Sequence, residues 1–525
     1  MIVYRNHQRQ VHVPSALERL RAPHIEPTAL LIELGELETG IVDAVCPNAD
    51  SDCAIARALR RASLAAAHVF CGKPWRARVF AELDALQSMN LPAQATVGIS
   101  EGYAWYGLYP ETYLEAARRY FRAVRPRHAV VIGIRNIGTS LSAVVAATLE
   151  DCGCAVDSIT LRPRGHPFDR KVVLAPGLEW RLRRLVDCDF AIVDEGPGLS
   201  GSSLASAAEA LSRLGVPDER IALFPSWTPD GSAFVSEAAR ERWRRHAKYC
   251  VSFEEAMPLA GARDLSAGAW RGLLYPEESR WPAVQPQHER RKFLEGDALL
   301  KFAGLGRYGA PRFERARQLA DAGFCPPALG LESGFLRTTF IAGRPLSAPE
   351  DINRDLLDAM ARYLAHLVKN FDSPRRLPFD DLVEMIRVNT GYEVPGGVRA
   401  AIRDAPTVAI DGRMLPHEWI VTADGYLKTD AVDHHDDHFF PGCQDIAWDI
   451  AGAAVEFSMD PASLAEKYAA VAGDHGIARR LPFYIRAYSA WRLGYVTLAR
   501  KAIAGTADAA RFESLTERYA CVARR

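Results

Sequence analysis

The 525-residue chain lacks several features that would narrow its class at once. It has no apolar run near the roughly 20 residues that a membrane span requires. Its first residues, Met-Ile-Val-Tyr-Arg-Asn-His, have neither the basic region nor the apolar core of a secretory signal. Its ten cysteines are dispersed, with Cys152 and Cys154 spaced one apart and no CxxC pair, so a structural zinc or dithiol redox centre is not expected. Reduced thiols in a cytoplasmic setting are the simplest account. A charge of one sign is missing too: 64 Lys and Arg stand against 65 Asp and Glu, a formal net charge of -1. Neither a nucleic-acid partner nor a membrane surface is expected from that balance.

What is present is ordinary globular composition, 48% hydrophobic and 25% charged, in a chain too long for one core. Such a length predicts two to four domains. Residues 1–90 read as a helical region, with apolar residues at helical spacing in Ala29–Val45 and again over Asp50–His68, and Gly35 and Gly40 weakening the first helix. Over 91–255 short apolar runs alternate with helical stretches: Ala129–Ile134, Ala155–Leu161, Phe190–Val193 and Ile221–Phe224 read as strands. Alternation of this kind predicts an α/β domain with a mostly parallel sheet covered on both faces. The polar segment 162–171 reads as a mobile loop. Residues 256–290 form a linker or strand-rich lead-in, and 291–525 a small mixed lobe followed by a larger helical one.

FAIVDEGPGLSGSSL, residues 190–204, carries the most chemistry. An apolar strand delivers Asp194 and Glu195 to its C-terminal end, and a Gly/Pro/Ser loop follows into a helix. Loop N–H groups, seryl hydroxyls and the helix N-terminus can together surround a phosphate, just outside the strand ends where open α/β sheets bind ligands. No Lys follows the glycines, so this is not a P-loop. The loop resembles the ribose-phosphate signature of type I phosphoribosyltransferases. Asp194 and Glu195 match that family's acidic pair, and Gly198, Ser200, Gly201, Ser202 and Ser203 its phosphate loop. IRNIGTSL at 134–141 resembles the earlier pyrophosphate loop, with Arg135, Asn136, Gly138 and Thr139 as contacts; Arg162, Arg164 and Lys171 sit where the family has its flexible catalytic loop. The resemblance implies a phosphoribosyltransferase using phosphoribosyl pyrophosphate and Mg²⁺ on an unidentified small-molecule acceptor, with Asp194 and Glu195 catalytic. Tyr103, Trp105 and Tyr106 could stack a ring, although packing in the core or an interface is the commoner use of such residues.

A second candidate site lies in 291–500. RKFLEGDALLKF at 291–302 reads as two short strands with Lys301 on the second; a helix carrying Glu314 follows, and acids gather over 411–449. A lysine on a strand, an acid on the next helix and acids in a later lobe are the minimum set for handling ATP with Mg²⁺. The order resembles the aminoglycoside phosphotransferase-like branch of the protein kinase fold, a two-lobed α+β domain, in degenerate form. That resemblance implies an ion pair between Lys301 and Glu314, Asp411 as catalytic acid, Asp433 as metal ligand and Asp449 as a structural acid. His-Gly-Asp is absent here, and His417-Glu418 stands near the expected metal-binding Asn. The run His434–His438 offers adjacent metal-ligand types, but neighbours on an extended chain point in alternate directions, so few can converge on one ion. Three functions follow: phosphoribosyl transfer as the main one, ATP-dependent phosphorylation of a small hydroxyl compound by the C-terminal domain, and non-enzymatic sensing of the sugar pyrophosphate or nucleotide. A homo-oligomer is left open.

Overall fold

The structure, a computed structural model, describes residues 1–3, 8–198, 200–232, 234–257, 259, 261–347, 349–374 and 378–524. The chain divides into an N-terminal unit, His7–Gly261 with Gly304–Tyr308, and a C-terminal unit, Ala262–Ala303 and Gly309–Arg525 with Met1–Asn6. Apart from its first six residues, the segment expected to be helical lies in the first of these, as does the segment expected to be α/β.

In the N-terminal unit β1 (Gln8–His12), a strand in the segment that reads as helical, pairs antiparallel with β2 (Gln94–Gly98). Between them run α1 (Pro27–Val45) and α2 (Ala54–Phe70). Pro27 opens α1, and the Glu26 carboxylate accepts from the N–H groups of Thr28 and Ala29, each at 2.9 Å. Gly35 and Gly40 are close-packing points in this helix. A Cβ on Gly35 would stand 2.8 Å from Ser140 Cβ, and one on Gly40 2.7 Å from the Thr96 carbonyl. Helix propensity is given up there to let neighbouring backbone approach.

Helix α3 (Pro110–Val124) leads into β3 (His128–Ile134), α4 (Ile137–Asp151) and β4 (Ala155–Leu161). The 162–171 segment is a hydrogen-bonded hairpin, β5 (Arg164–His166) with β6 (Asp169–Lys171), where a mobile loop is expected. Then come β7 (Asp189–Val193), α5 (Ser202–Leu214), β8 (Ile221–Phe224) and β9 (Ala247–Lys248). The sheet is all parallel in the order β4-β3-β7-β8-β9. Its central strands are buried on both faces, which is why HAVVIGI and DFAIV are near-continuous apolar runs.

The C-terminal unit opens with an antiparallel sheet of β10 (Arg263–Asp264), β11 (Lys292–Glu295), β12 (Ala298–Phe302), β13 (Ala328–Glu332) and β14 (Phe335–Thr339), in the order β10-β11-β12-β14-β13. Helix α6 (Gly309–Asp321) lies between β12 and β13 in sequence. A second small sheet joins β15 (Arg344–Pro345), β16 (Trp419–Thr422) and β17 (Gly425–Lys428). The larger, helical part includes helices α7 (Arg354–Asn370), α8 (Ala447–Phe457), α9 (Ile477–Ala502) and α10 (Ala507–Arg524). Its core centres on Trp448, Tyr488 and Trp491, whose ring centroids lie 5.4–5.7 Å apart. The protein is therefore a mixed α/β chain that contains a parallel sheet. Among the described residues no helix is long and apolar enough to cross a membrane.

Gly133, in the middle of the parallel sheet, sets the depth at which α4 seats. A Cβ there would meet Ser142 Oγ at 2.2 Å and the Gly138 carbonyl oxygen at 2.5 Å. Because one obstacle is backbone, Gly133→Ala is expected to destabilise the chain by about 1–3 kcal/mol. Denaturant titration followed by circular dichroism reads this, and an unchanged midpoint would contradict the packing described.

Candidate functional site

At the end of β7, Asp194 and Glu195 lie half-buried, as the strand-to-loop pattern predicts. Asp194 Oδ1 accepts from the Glu195 N–H at 2.9 Å, and Tyr113 donates its hydroxyl to the Asp194 carbonyl at 2.7 Å. Burial raises the Asp194 carboxyl to about 6. Burial, with Glu101 and Asp194 adding like charge, raises Glu195 to about 8.

Most of the remaining groups expected around this loop are turned to other partners. Ser200 and Ser202 both donate to the carbonyl of Pro167, at 3.0 and 2.8 Å. Gly198 and Gly201 shape the turn with φ of 61° and 64°; Ser203 follows in the first turn of α5, and Leu199 lies outside the described residues. Arg135, 2% exposed, donates Nε to Asp43 at 2.8 Å and Nη2 to Asp50. Arg162 also pairs with Asp43, and Arg164 donates to the carbonyls of Cys46 and Pro47 at 2.8 and 3.1 Å. Lys171 pairs at the surface with Asp169 at 3.0 Å. Asn136 has φ of 145°, Gly138 packs on the Val193 carbonyl, and the Thr139 hydroxyl lies 2.8 Å from that of Thr39. Tyr103 and Trp105 are fully buried, with the Tyr103 hydroxyl 2.9 Å from Ser140 Oγ. The arginines expected on a pyrophosphate thus neutralise Asp43 and Asp50. No signal near 135 or 162 betrays these partners, because they lie some 90 to 120 residues upstream.

In the C-terminal unit, Lys301 on β12 reaches Asp430 Oδ1 at 2.5 Å and Asp433 Oδ1 at 3.3 Å. Burial alone would lower the Lys301 ammonium; Asp430 and Asp433 outweigh it and raise it. The expected pair with Glu314 does not form. The buried face of α6 carries Arg312, Arg315, Ala316 and Leu319, and the helical phase of that face turns Glu314 to solvent. There it accepts from Arg317 at 2.8 Å and Gln318 at 2.7 Å.

Asp411, the expected catalytic residue, is fully buried and is not among the residues lining the two cavities described below. Its Oδ2 accepts from the Tyr363 hydroxyl at 2.7 Å and lies 3.2 Å from Lys428 Nζ. Asp449, expected to be a structural acid, accepts from the backbone N–H groups of Asp411 and Gly412, each at 2.8 Å. Asp433, expected to hold metal, is tied up by Lys301 and by Arg290, whose Nε donates to it at 3.1 Å and whose Nη2 donates to Asp437 at 2.5 Å. The carboxylates and imidazole of Glu418, Asp430 and His434 instead converge, with one ligand atom from each inside 4.8 Å of the others. Glu418 and His434 border the expected metal features, whereas Asp430 escapes sequence reasoning because the neighbouring Asp433 matches the pattern equally well.

Two cavities meet at this floor. The smaller, about 130 Å³, is walled by Leu265, Leu299, Phe340, Ile341 and Ile420; the larger, about 470 Å³, is polar and aromatic. Lys301, Arg413 and Asp430 line both. The segment between β10 and β11 reaches the same floor. Its Trp270 ring lies on His417, 5.7 Å between centroids at 24°, and donates Nε1 to Glu289 at 3.0 Å.

No protein-family model matches the chain, and no curated protein does. Among solved structures, a choline/ethanolamine kinase family protein from Mesorhizobium loti is 19% identical, with 45% of this chain and 89% of that one covered and a TM-score of 0.32. A choline kinase from Streptococcus pneumoniae is 12% identical over 44% of this chain and 89% of its own, with a TM-score of 0.31. The GDP complex of an aminoglycoside 2'-phosphotransferase is 14% identical over 48% and 96%, also at 0.31. At these TM-scores the likenesses add nothing to the chemistry, which rests on the chain's own residues. Phosphoribosyl transfer as the main function is corrected here. Most of the cations and hydroxyls expected to hold phosphoribosyl pyrophosphate are bonded within the protein instead.

The raised Glu195 gives a pH signature. A carboxyl whose folded value is about 8 against an ordinary 4.5 keeps a proton that the unfolded chain has lost, so stability falls as pH climbs between those values. Glu195→Gln is expected to flatten that fall by about 1–3 kcal/mol at pH 8, less than full linkage because the residue is half-buried. Denaturant midpoints of parent and variant at pH 5 and pH 8.5 read the difference; parallel profiles would refute it.

Proposed function

We propose that the C-terminal unit is an ATP-dependent phosphotransferase acting on a small hydroxyl compound. The observation that carries this reading is the junction of the two cavities: an apolar cleft suited to a nucleobase and a larger polar cavity suited to an acceptor share Lys301, Arg413 and Asp430. A phosphoryl group passing from one cavity to the other crosses that junction. Phosphoryl transfer asks the protein mainly for positioning and electrostatic stabilisation, and Lys301 and Arg413 supply fixed positive charge there.

The acceptor oxygen forms a bond to the terminal phosphorus. The bond from that phosphorus to its bridging oxygen breaks, and the electron pair leaves with ADP. Asp430 and Asp433 are held well below the ordinary carboxylate range; burial opposes this, and Lys301, with Arg290 beside Asp433, overcomes it. They are therefore weak bases, and the hydroxyl proton leaves late, to the transferred phosphoryl group or to water. Glu418 and Asp430 offer the carboxylate oxygens that a hard divalent cation such as Mg²⁺ takes, with the His434 imidazole beside them, and a cation held by that pair would offset phosphate charge.

Lys301→Ala in the full-length protein is expected to weaken ATP binding at least about tenfold, through loss of a charge-assisted contact. Calorimetric titration with ATP and Mg²⁺ measures it. Affinity equal to the parent's would overturn the nucleotide site.

A further inference from the structure

The larger cavity carries more positive than negative charge: seven Lys and Arg side chains line it against five carboxylates. Of its histidines, His288 and His417 are each held near 4 by burial and add no charge at neutral pH. Arg492 of α9 is 4% exposed. Its Nη2 donates to the Tyr519 hydroxyl at 2.9 Å, and its Nε lies 2.9 Å from Glu456 Oε1, off the line a hydrogen bond needs. Glu456 already accepts from the hydroxyls of Tyr488 and Tyr519, at 2.8 and 2.7 Å. Among the described residues Arg492 Nη1 has no acceptor. Arg413 spends Nε and Nη2 on Glu418, at 2.9 and 2.7 Å, and its Nη1 has none among them either. The two guanidinium groups are near enough to oppose one another's charge. Gln285, 7% exposed on the same wall, holds its Oε1 buried without a donor.

A buried guanidinium, Arg492, and a half-buried one, Arg413, each with a spare donor, and an amide oxygen without one describe a specific guest: a compound with an oxyanion group at one end and a hydroxyl at the other. We propose that the larger cavity is the acceptor site for an anionic hydroxyl compound, its phosphate or carboxylate on Arg413 and Arg492 and a hydroxyl on Gln285 Oε1. Assigning it as acceptor rests on the phosphotransferase reading; its binding does not. Planar guanidinium forks suit both oxyanions, and a cationic alcohol would meet like charge.

The test is titration of the full-length protein, without nucleotide, with glycerol 3-phosphate, D-glycerate and choline, followed by the fluorescence of Trp270 and Trp281 in the cavity wall. Saturable binding of an anion with no response to choline is expected, and the tighter of the two anions identifies phosphate or carboxylate as the recognised group. Arg492→Lys is expected to weaken that anion by about tenfold, and Glu456→Gln to tighten it by about threefold or more by removing an opposing charge. A misfolded variant cannot bind more tightly, so the opposite signs separate recognition from damage. Choline binding ahead of both anions, or Glu456→Gln without effect on anion affinity, overturns the proposal. Anion binding in a protein that fails to bind ATP leaves this site standing and removes the phosphotransferase reading instead.

Discussion

The C-terminal unit depends on one buried contact set: the Asp449 carboxylate accepting from the N–H groups of Asp411 and Gly412. That grip fixes the start of the 411–418 loop, and Trp448 adds to it by donating Nε1 to the Gly412 carbonyl at 3.0 Å. From this anchor Lys428 spans Asp411 and Glu418, at 3.2 and 2.9 Å, with no exposed surface. Glu418 then orients Arg413, so a chain of ionic contacts leads from the helical core to the cavity floor. Lys428, Asp411 and Glu418 are tolerated this deep because each has a partner of opposite sign, whereas burial and the nearby Asp411 charge raise the Asp449 carboxyl to about 8. Breaking one member would leave another charged and alone, which makes the loop geometry an all-or-none property.

The two units use arginine in opposite ways. In the N-terminal unit Arg135, Arg162 and Arg164 turn inward to Asp43, Asp50 and nearby carbonyls, and little cationic character is left for a ligand. In the C-terminal unit Arg413 and Arg492 line a cavity, and each has one terminal nitrogen without an acceptor among the described residues. A charged side chain becomes a binding group only where its own neighbours leave it underpaired, and that condition separates a structural ion network from a site.

Much of the fold is legible in the residues. Strands β3, β7 and β8 coincide with short apolar runs because strands buried on both faces demand them, whereas β4 lies at the sheet edge and is only partly buried. Helix α6 and the strand bearing Lys301 are equally readable. Strand β1 is hidden, since its alternating sequence is short and only its antiparallel partner β2, over 80 residues later, makes it a strand. The 162–171 hairpin reads as a loop because its polar and glycine content signals a turn without revealing that the turn closes on itself.

By itself, the sequence determined the burial pattern of the central strands, the delivery of Asp194 and Glu195 to a strand end, and Lys301 on a strand ahead of an acid-rich lobe. These are local properties, set by hydrophobic period and turn chemistry over a few residues. Tertiary structure decided which charges meet. It gave Arg135 to Asp50, turned Glu314 to solvent, sank Asp411 under its own loop, and chose Asp430 over Glu314 as the partner of Lys301. Pairing energy between ions depends on distance and burial in three dimensions, and neither can be read from spacing along the chain.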